Sequence, residues 1–320
     1  MMKKIVLIVL GLIVGSVVGL LGYVRFALPN VGPAPVMTIE STPERVERGK
    51  YLANHVTVCI DCHSTRDWSK FSGPLVPGAI GKGGELFDQK FGFPGAYYSR
   101  NITPAGIKNW TDGELFRLIT TGVTKDGKAI FPVMPYPYYG RMDEEDIKSI
   151  IAYVRTLPAL ENEVPASRSD FPMNFIVNTI PHKASLVKRP DPKDEVKTGE
   201  YLANAGACME CHTQVEKGQV IPSLAYAGGR EFPMPTGDMV RSANITPDVE
   251  TGIGKMTRKE FVARFKERMA AARAPAQGFN TIMPWGMYGG MTDQDLGAIY
   301  EYLRTISPKA NNVVKYTPAK

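Results

Sequence analysis

The sequence predicts an all-α fold in which two similar helical domains follow one N-terminal membrane-spanning helix. Three observations lead to this prediction. They are an apolar run at the N-terminus, an internal repeat that covers most of the remaining chain, and apolar stripes with helical spacing in both copies of the repeat. No period-2 strand pattern of any length competes with these helices. With 320 residues, the chain is long enough for two such domains.

The N-terminus has the features of a membrane anchor. Residues 5–24 are uncharged and mostly apolar, which is about the length that a helix needs to cross a hydrocarbon core of roughly 30 Å. Lys3 and Lys4 precede this run, so the positive-inside tendency keeps the N-terminus cytoplasmic and places everything after Arg25 on the outer face of the membrane. A cleaved signal peptide is the alternative, but no clear A-x-A cleavage site follows. We therefore assign an anchor (1–28) and a Pro/Gly spacer (29–39) that is expected to lift the first domain off the bilayer.

Three glycines of the anchor recur every fourth residue and share one face of the predicted helix: Gly11, Gly15 and Gly19. Small residues in such a strip let a second helix approach closely, so the pattern predicts a helix partner in the membrane. A bare tether is the alternative, since glycine is common in membrane helices.

The rest of the chain repeats itself with a period of roughly 149 residues. Segment 49–54 (GKYLAN) returns as GEYLAN, NITP occurs twice, and the stretch 142–156 also has a second copy. Two domains follow, 40–157 and 194–320. The strap between them, 158–193, is rich in proline and lacks helical periodicity. Its apolar residues favour packing across the domain surfaces over a free linker.

Helix signals recur at equivalent positions in the two domains. Thr42-Pro43 supplies an N-cap and a proline at the first helical position. Capping boxes of the form T-x-x-E begin at Thr111 and Thr257, and each opens a middle helix. The last helix, with predicted N-caps at Asp143 and Thr292, carries an apolar stripe in each copy. The stripe residues are Ile147, Ile150, Ile151 and Val154, and then Leu296, Ile299, Tyr300 and Leu303.

All four cysteines fall into two C-x-x-C-H motifs at equivalent places in the repeat: Cys59, Cys62 and His63, and Cys208, Cys211 and His212. This motif is specific for c-type haem, because its two thiols form thioethers and its histidine supplies an iron ligand. The sequence therefore predicts two covalently attached haem c groups, each with an iron. Rival interpretations are a thioredoxin-like dithiol, a zinc knuckle and a disulfide. The first lacks its βαβ context, and the others leave the histidine unexplained.

Methionine is the expected second iron ligand of an electron-carrying cytochrome. Two Met-Pro pairs lie at the same distance from the two motif histidines, namely 71 positions (134 − 63 and 283 − 212). Met142 and Met291 also recur in register, but they directly precede the predicted N-caps of the last helices, where an apolar residue usually serves as a staple. The predicted iron ligands are therefore His63, Met134, His212 and Met283.

The remaining polar candidates are given structural roles. His55 and His182 have no counterpart in the opposite half, and we expect them at the frayed end of the first helix and on the strap. Asn101 and Asn244 are expected to shape the turn before the following proline. Contact with a haem propionate is the alternative for the two asparagines.

This series of motifs, G-x-Y-L-A before C-x-x-C-H, then N-I-T-P, then M-P, resembles the class I cytochrome c fold, doubled. More narrowly, residues 244–254 are similar to the cytochrome c subunits of membrane-bound alcohol and gluconate dehydrogenases. The resemblance covers about residues 40–308. It implies that the first and last helices of each domain cross through a small residue against an aromatic one, and the matching pairs are Gly49 with Tyr153 and Gly199 with Tyr302. Those subunits often carry three haems, whereas this chain has motifs for two.

The expected function is single-electron transfer between a membrane or periplasmic donor and a respiratory acceptor. We expect the protein to act as a subunit of a membrane respiratory complex or dehydrogenase, without a catalytic site of its own. The alternatives are a dihaem peroxidase or other haem oxidoreductase, which would normally break the symmetry between its sites, and a haem scaffold without redox traffic. The net charge of +6, from 38 basic and 32 acidic residues, is no nucleic-acid footprint, so no such partner is expected.

Overall fold

A computed structural model of the protein describes residues 2–216, 218–234, 236–276 and 278–319. Helix α1 (Met2–Phe26) has 25 residues, none of them buried. By length and composition, it is the one helix in these ranges that could cross a membrane.

Two similar sets of helices follow α1. The first half contains α2 (Pro43–Tyr51), which continues as a π-helical turn (Leu52–Val56), then α3 (Cys59–Cys62), α4 (Pro104–Ile107), α5 (Asp112–Thr121), α6 (Tyr136–Tyr139) and α7 (Glu144–Val154). The strap holds α8 (Met173–Ile176) and a 3-10 turn (Val177–Thr179). The second half contains α9 (Glu195–Ala205), α10 (Cys208–Cys211), α11 (Arg258–Ala271), α12 (Trp285–Tyr288) and α13 (Asp293–Thr305). Further 3-10 turns span Gln89–Phe91 and Pro222–Leu224.

The all-α prediction is wrong in one respect, because short antiparallel strands join the loops of both halves. The strands are β1 (Leu86–Phe87), β2 (Gly95–Tyr98), β3 (Arg168–Ser169), β4 (Val215–Glu216), β5 (Gln219–Val220), β6 (Glu231–Pro233), β7 (Met239–Arg241) and β8 (Tyr316–Thr317). Their sheet orders are β1-β2-β3, β4-β5 and β6-β7-β8. Strands of two to four residues are too short to show an alternating pattern in sequence. They attach the strap to the first half and the C-terminal tail to the second.

The predicted helix starts are confirmed. The Thr42 side chain accepts a hydrogen bond from the amide of Arg45, and Pro43 occupies the first helical position. Both capping boxes are complete, with reciprocal bonds at the starts of α5 and α11. Asp143 and Thr292 cap α7 and α13 through their side chains. These ends are set by local chemistry, which explains why the sequence was sufficient to place them.

In each half the first helix packs across the last, α2 on α7 and α9 on α13. A Cβ atom built at Gly49 would overlap the backbone carbonyl of Ser149 and lie 2.9 Å from the Tyr153 Cβ. At Gly199 it would overlap the Ala298 carbonyl and lie 2.8 Å from the Tyr302 Cβ. The predicted crossings through a small residue against an aromatic one are therefore present in both halves, and the apolar stripes of both last helices are buried beneath them.

One hydrophobic core runs through both halves, and it includes Leu52 and Met142 from the first half with Leu202 and Met291 from the second. Hydrogen bonds between the halves are related by the repeat. The Tyr201 hydroxyl donates to Asp146 Oδ2 (2.7 Å) and accepts from the amide of Asp143 (3.1 Å). Equivalently, the Tyr51 hydroxyl donates to the Asp295 carboxylate and accepts from the amide of Thr292 (3.2 Å). The two halves thus pack through the same surface, as in a two-fold symmetric interface.

Three expectations about connecting segments change or are refined. The spacer does not stand free, because the Gly32 carbonyl accepts from Arg117 (3.4 Å), and Gly113, lacking a side chain, lets the Pro35 carbonyl pack against α5. His55 is not at a frayed end: it lies in the π-helical turn, with Nδ1 3.0 Å from the Met287 carbonyl of the other half. The strap does pack on the first half through residues 185–189, although Phe171 is 81% exposed.

Candidate functional site

The two C-x-x-C-H segments have the same local structure. In each, a one-turn helix, α3 or α10, holds both cysteines, and the histidine directly follows its end. The residue before each helix is left-handed although it is not glycine, with φ of 47° at Val58 and 49° at Ala207. Such strained conformations persist where the surrounding structure enforces them, commonly at functional sites. The fold therefore imposes the same unusual backbone on both motifs.

Both motif histidines are oriented by a backbone carbonyl. His63 Nδ1 lies 2.6 Å from the Arg100 carbonyl, and His212 Nδ1 lies 2.8 Å from the Ala243 carbonyl. A carbonyl only accepts, so each Nδ1 must donate, and Nε2 keeps its lone pair. Desolvation lowers the pKa of both imidazoles and so favours their neutral form. A neutral imidazole with a free Nε2 and a bonded Nδ1 is the form in which histidine ligates a metal.

The cysteines have the properties of unactivated thiols. All four are free, and three are half-buried while Cys211 is exposed. Burial raises the pKa of the Cys62 thiol to about 12, and it also raises that of Cys208 to about 12. A thioredoxin-like dithiol needs a lowered thiol pKa, since the thiolate is its reactive form. The raised thiol pKa values thus count against a redox dithiol at either motif.

The four recurring methionines fall into two environments. Met142 and Met291 are almost fully buried in the core, with exposures of 0% and 2%. Met134 and Met283 are only partly buried and pack against the edge of that core, in the loops before α6 and α12. Met142 and Met291 are therefore enclosed by core residues, whereas Met134 and Met283 lie partly exposed against the core. This environment supports the predicted pair over its competitors.

The two asparagines form turns, as predicted. Asn101 Oδ1 accepts from the amide (2.9 Å) and hydroxyl (2.7 Å) of Thr103, and its Nδ2 donates to the Leu160 carbonyl (2.7 Å). Asn244 makes the same contacts with Thr246 and with the Lys309 carbonyl. Because the residue before each asparagine supplies the carbonyl that orients a motif histidine, these turns position both histidines. The exposed His182 has a local contact, with Nδ1 3.3 Å from the Ile180 carbonyl, as expected for the strap.

An acidic residue between the cysteines of each motif was missed in the sequence, although its position is the same in both. Asp61 is buried and paired with Arg66 (3.0 Å), and burial raises the pKa of its carboxyl to about 6. The equivalent Glu210 is more exposed and bonds Arg230 (2.5 Å) and the Tyr138 hydroxyl (3.1 Å). The acidic side chain of the first motif is therefore buried, whereas that of the second motif is more exposed.

The buried hydroxyl of Tyr136, close to Met134 in the sequence, is also suited to contact with a haem carboxylate. The Tyr136 side chain is fully buried, and its hydroxyl has no hydrogen-bond partner in the described part of the chain. Buried hydroxyls nearly always have a partner, so an additional acceptor is expected here. Tyr136 begins the helix directly after Met134-Pro135, and a haem propionate is an acceptor of the required kind.

Comparison with known proteins agrees with these features. Residues 196–307 match the cytochrome c family model. The chain is 26% identical to the cytochrome c subunit of the quinone alcohol dehydrogenase of Gluconobacter oxydans, over 84% of this chain and 56% of that protein. It is 28% identical to the fructose dehydrogenase cytochrome subunit of Gluconobacter japonicus, over 88% of this chain and 57% of the relative. A dihaem c-type cytochrome of Cereibacter sphaeroides is 27% identical over 48% of the chain and 53% of its own length. The chain thus spans little more than half the length of these relatives. Residues 196–307 therefore contain a cytochrome c domain, and the chain as a whole resembles the cytochrome c subunits of alcohol, fructose and gluconate dehydrogenases.

Proposed function

We propose that the protein is a membrane-anchored dihaem cytochrome that carries single electrons from a membrane or periplasmic donor towards a respiratory acceptor. In this proposal, residues 40–157 and 194–320 are tandem class I cytochrome c domains with one covalent haem each. The core of each domain is all-α, and the short strands belong to its loops. Helix α1 is retained as a single-pass anchor in a bacterial inner membrane, with both domains in the periplasm.

The observation that carries the proposal is the equivalence of the two histidine sites. Each imidazole follows a one-turn C-x-x-C helix and donates from Nδ1 to the carbonyl just before an N-I-T-P turn. Two sites with the same ligand orientation favour a carrier, because an enzyme would need one iron with an open position. The residues that would hold the haems are Cys59, Cys62, His63 and Met134, and Cys208, Cys211, His212 and Met283.

The chain's own residues serve this role by fixing the ligands. When bound, the haem irons supply one-electron redox chemistry, and a His/Met ligand pair favours their ferrous state. Each histidine is prevented from rotating by its carbonyl contact. The buried hydroxyls of Tyr139 in α6 and Tyr288 in α12 connect the helix after each proposed methionine ligand to the backbone just before the cysteines, because each donates a 2.8 Å hydrogen bond to a carbonyl there. Ligand geometry that cannot relax keeps reorganisation small between redox states.

A dehydrogenase subunit is the proposed partner, since the relatives are named as cytochrome subunits of dehydrogenases. The anchor offers a second contact, because an ideal Cβ at Gly11, Gly15 or Gly19 would have no atom within 4 Å. We include a membrane helix at this strip in the proposal. Leucine at all three positions should release partner subunits in detergent while leaving haem attachment intact. Co-purification that persists in that variant would limit the anchor to tethering.

The ligands are tested with conservative variants of the full chain. The pyridine haemochrome assay should give two haems per chain, and the ferric protein should be low-spin with a methionine–iron absorption band. Met134→Leu and Met283→Leu conserve volume, and each should abolish half of that band and make one haem high-spin. Met142→Leu and Met291→Leu are the matched controls and should leave the band unchanged. Loss of the band in the control pair, or rapid peroxide turnover by the unaltered protein, would contradict the proposal.

A further inference from the structure

A loop of the first half holds the segment of the second half that leads to Met283. The Phe71 amide donates to the Ala274 carbonyl (3.1 Å), and the Ala276 amide donates to the Ser69 carbonyl (3.0 Å). Asn280 Nδ2 adds bonds to the Trp68 carbonyl (3.1 Å) and the Lys70 carbonyl (3.2 Å). The backbone just before Met283 is thus tied to residues 68–72, which belong to the other repeat.

Ser72 extends these contacts to the backbone of Met283 itself. Its hydroxyl donates to the Met283 carbonyl (2.6 Å) and accepts from the Trp285 amide (3.1 Å), while its own amide donates to Asn280 Oδ1 (2.8 Å). Pro284, between the two contacted residues, has no amide hydrogen to contribute. Ser72 is 4% exposed. Its hydroxyl therefore closes the Met283 turn from outside the second half.

Met134 is held in a different way. The Met134 carbonyl accepts from the Tyr136 amide (2.7 Å), the counterpart of the bond from Trp285 to Met283 (2.8 Å). Its loop is supported by Phe131, which stacks on Tyr97 with ring centroids 4.7 Å apart. Both aromatic residues belong to the first half, and in the described part of the chain no hydrogen bond from the second half reaches the Met134 backbone. The repeat is therefore asymmetric at this point.

We propose that Ser72 is a positioning residue for Met283, so that docking of the first half sets how firmly the second haem keeps its methionine ligand. This inference rests on the proposed function, in which Met283 ligates the second iron. A turn closed by the Ser72 hydroxyl rarely opens, so an external ligand seldom displaces the methionine. Two haems with the same ligand types consequently differ in ligand exchange and in potential.

The test is Ser72→Ala in the full-length ferric protein, titrated with imidazole. Loss of the hydroxyl should increase the apparent affinity for imidazole at one of the two haems about tenfold, the factor that corresponds to the loss of one or two ordinary hydrogen bonds. The same haem should titrate at a lower midpoint potential, because the thioether that favours ferrous iron is bound for less of the time. The other haem should be unchanged in both measurements.

Two variants separate the hydroxyl from the backbone. Ser72 has φ of 65°, so Ser72→Gly removes the hydroxyl and also relieves the strained conformation. It should behave like Ser72→Ala if the hydroxyl is responsible. Ser69→Ala is the matched control, because this exposed side chain of the same loop bonds Asp67 in its own half. It should leave both haems unaltered.

Met283→Leu distinguishes failure of this inference from failure of the proposed function. In that background Ser72→Ala should have no further effect on imidazole binding. If Met283→Leu abolishes its band but Ser72→Ala changes neither affinity nor potential, the positioning role is refuted and the ligand assignment remains. If Met283→Leu keeps the band, the ligand assignment itself fails. Equal shifts at both haems would indicate general loosening and would also refute the inference.

Discussion

Removal of the Asp146 carboxylate should destabilise the folded protein more than any comparable change at the interface between the halves. Its side chain is 1% exposed and accepts hydrogen bonds from three residues. Arg48 donates two of these (2.8 and 2.9 Å), and Arg189 (3.3 Å) and the Tyr201 hydroxyl (2.7 Å) donate one each. This one carboxylate therefore connects α2, α7, the strap and α9.

The expected magnitude follows from these partners. Breaking a buried ion pair by removing one member costs about 3–5 kcal/mol, because the other charge is left unpaired. Since the Arg48 and Arg189 side chains are 26% and 52% exposed, water can partly solvate them, and we expect Asp146→Ala to cost about 3 kcal/mol. At the equivalent position, Asp295 is half-buried and accepts from the Tyr51 hydroxyl. The loss of that one bond in Asp295→Ala should cost about 1 kcal/mol.

Guanidinium unfolding, followed by both Soret absorption and far-UV circular dichroism, measures this difference. We expect a lower midpoint at an unchanged slope in both variants, with the larger shift for Asp146→Ala. Asp146→Asn, which keeps an acceptor for Tyr201 but no charge, should fall between the unaltered protein and Asp146→Ala. If Asp146→Ala cost no more than Asp295→Ala, the reasoning from burial and pairing would be refuted.

The helix crossings and an acid-sensitive loop supply two further predictions. Gly49→Ala and Gly199→Ala should each lower the free energy of unfolding by about 3 kcal/mol or more, because the new methyl group meets a backbone carbonyl. Both should also lower haem incorporation. Gly286→Ala is the control: the nearest atom to its new methyl group is at 3.7 Å, so thermal melting should be nearly unchanged. Hydrogen bonds from the Thr251 hydroxyl and amide lower the pKa of the Asp248 carboxyl in the folded protein. The carboxylate therefore stabilises the fold fully above the unfolded pKa of about 3.9. This stabilisation is lost as the pH falls through the lower pKa of the folded state. Asp248→Asn should therefore be less stable than the unaltered protein at pH 7 and converge with it in strong acid. Equal differences at both pH values would contradict the assignment.

Much of the fold and the candidate site could be predicted from sequence because the relevant signals are local or repeated. The capping boxes at Thr111 and Thr257 need only residues three positions apart. The C-x-x-C-H motifs and the apolar stripes depend on spacings within a few helical turns. The crossings at Gly49 and Gly199 were expected only from the resemblance to class I cytochromes c, and the structure shows both. The short strands escaped prediction because segments of two to four residues acquire their pairing from distant partners rather than from their own pattern.

The sequence by itself determined the repeat and the helix ends, and it supplied the two C-x-x-C-H motifs and the candidate ligands, since each follows from a short-range pattern or from comparison of the two copies. Only the tertiary structure decided how the halves meet. Tyr51 and Asp295 are 244 positions apart, and Ser72 and Met283 are 211 apart, so no spacing rule connects them. The repeat predicts two equal sites, but packing one copy against the other places different side chains at each site. These contacts between the halves depend on how the two folded surfaces are oriented. That orientation is set by all the residues buried between the halves together, and no short segment of the sequence specifies it.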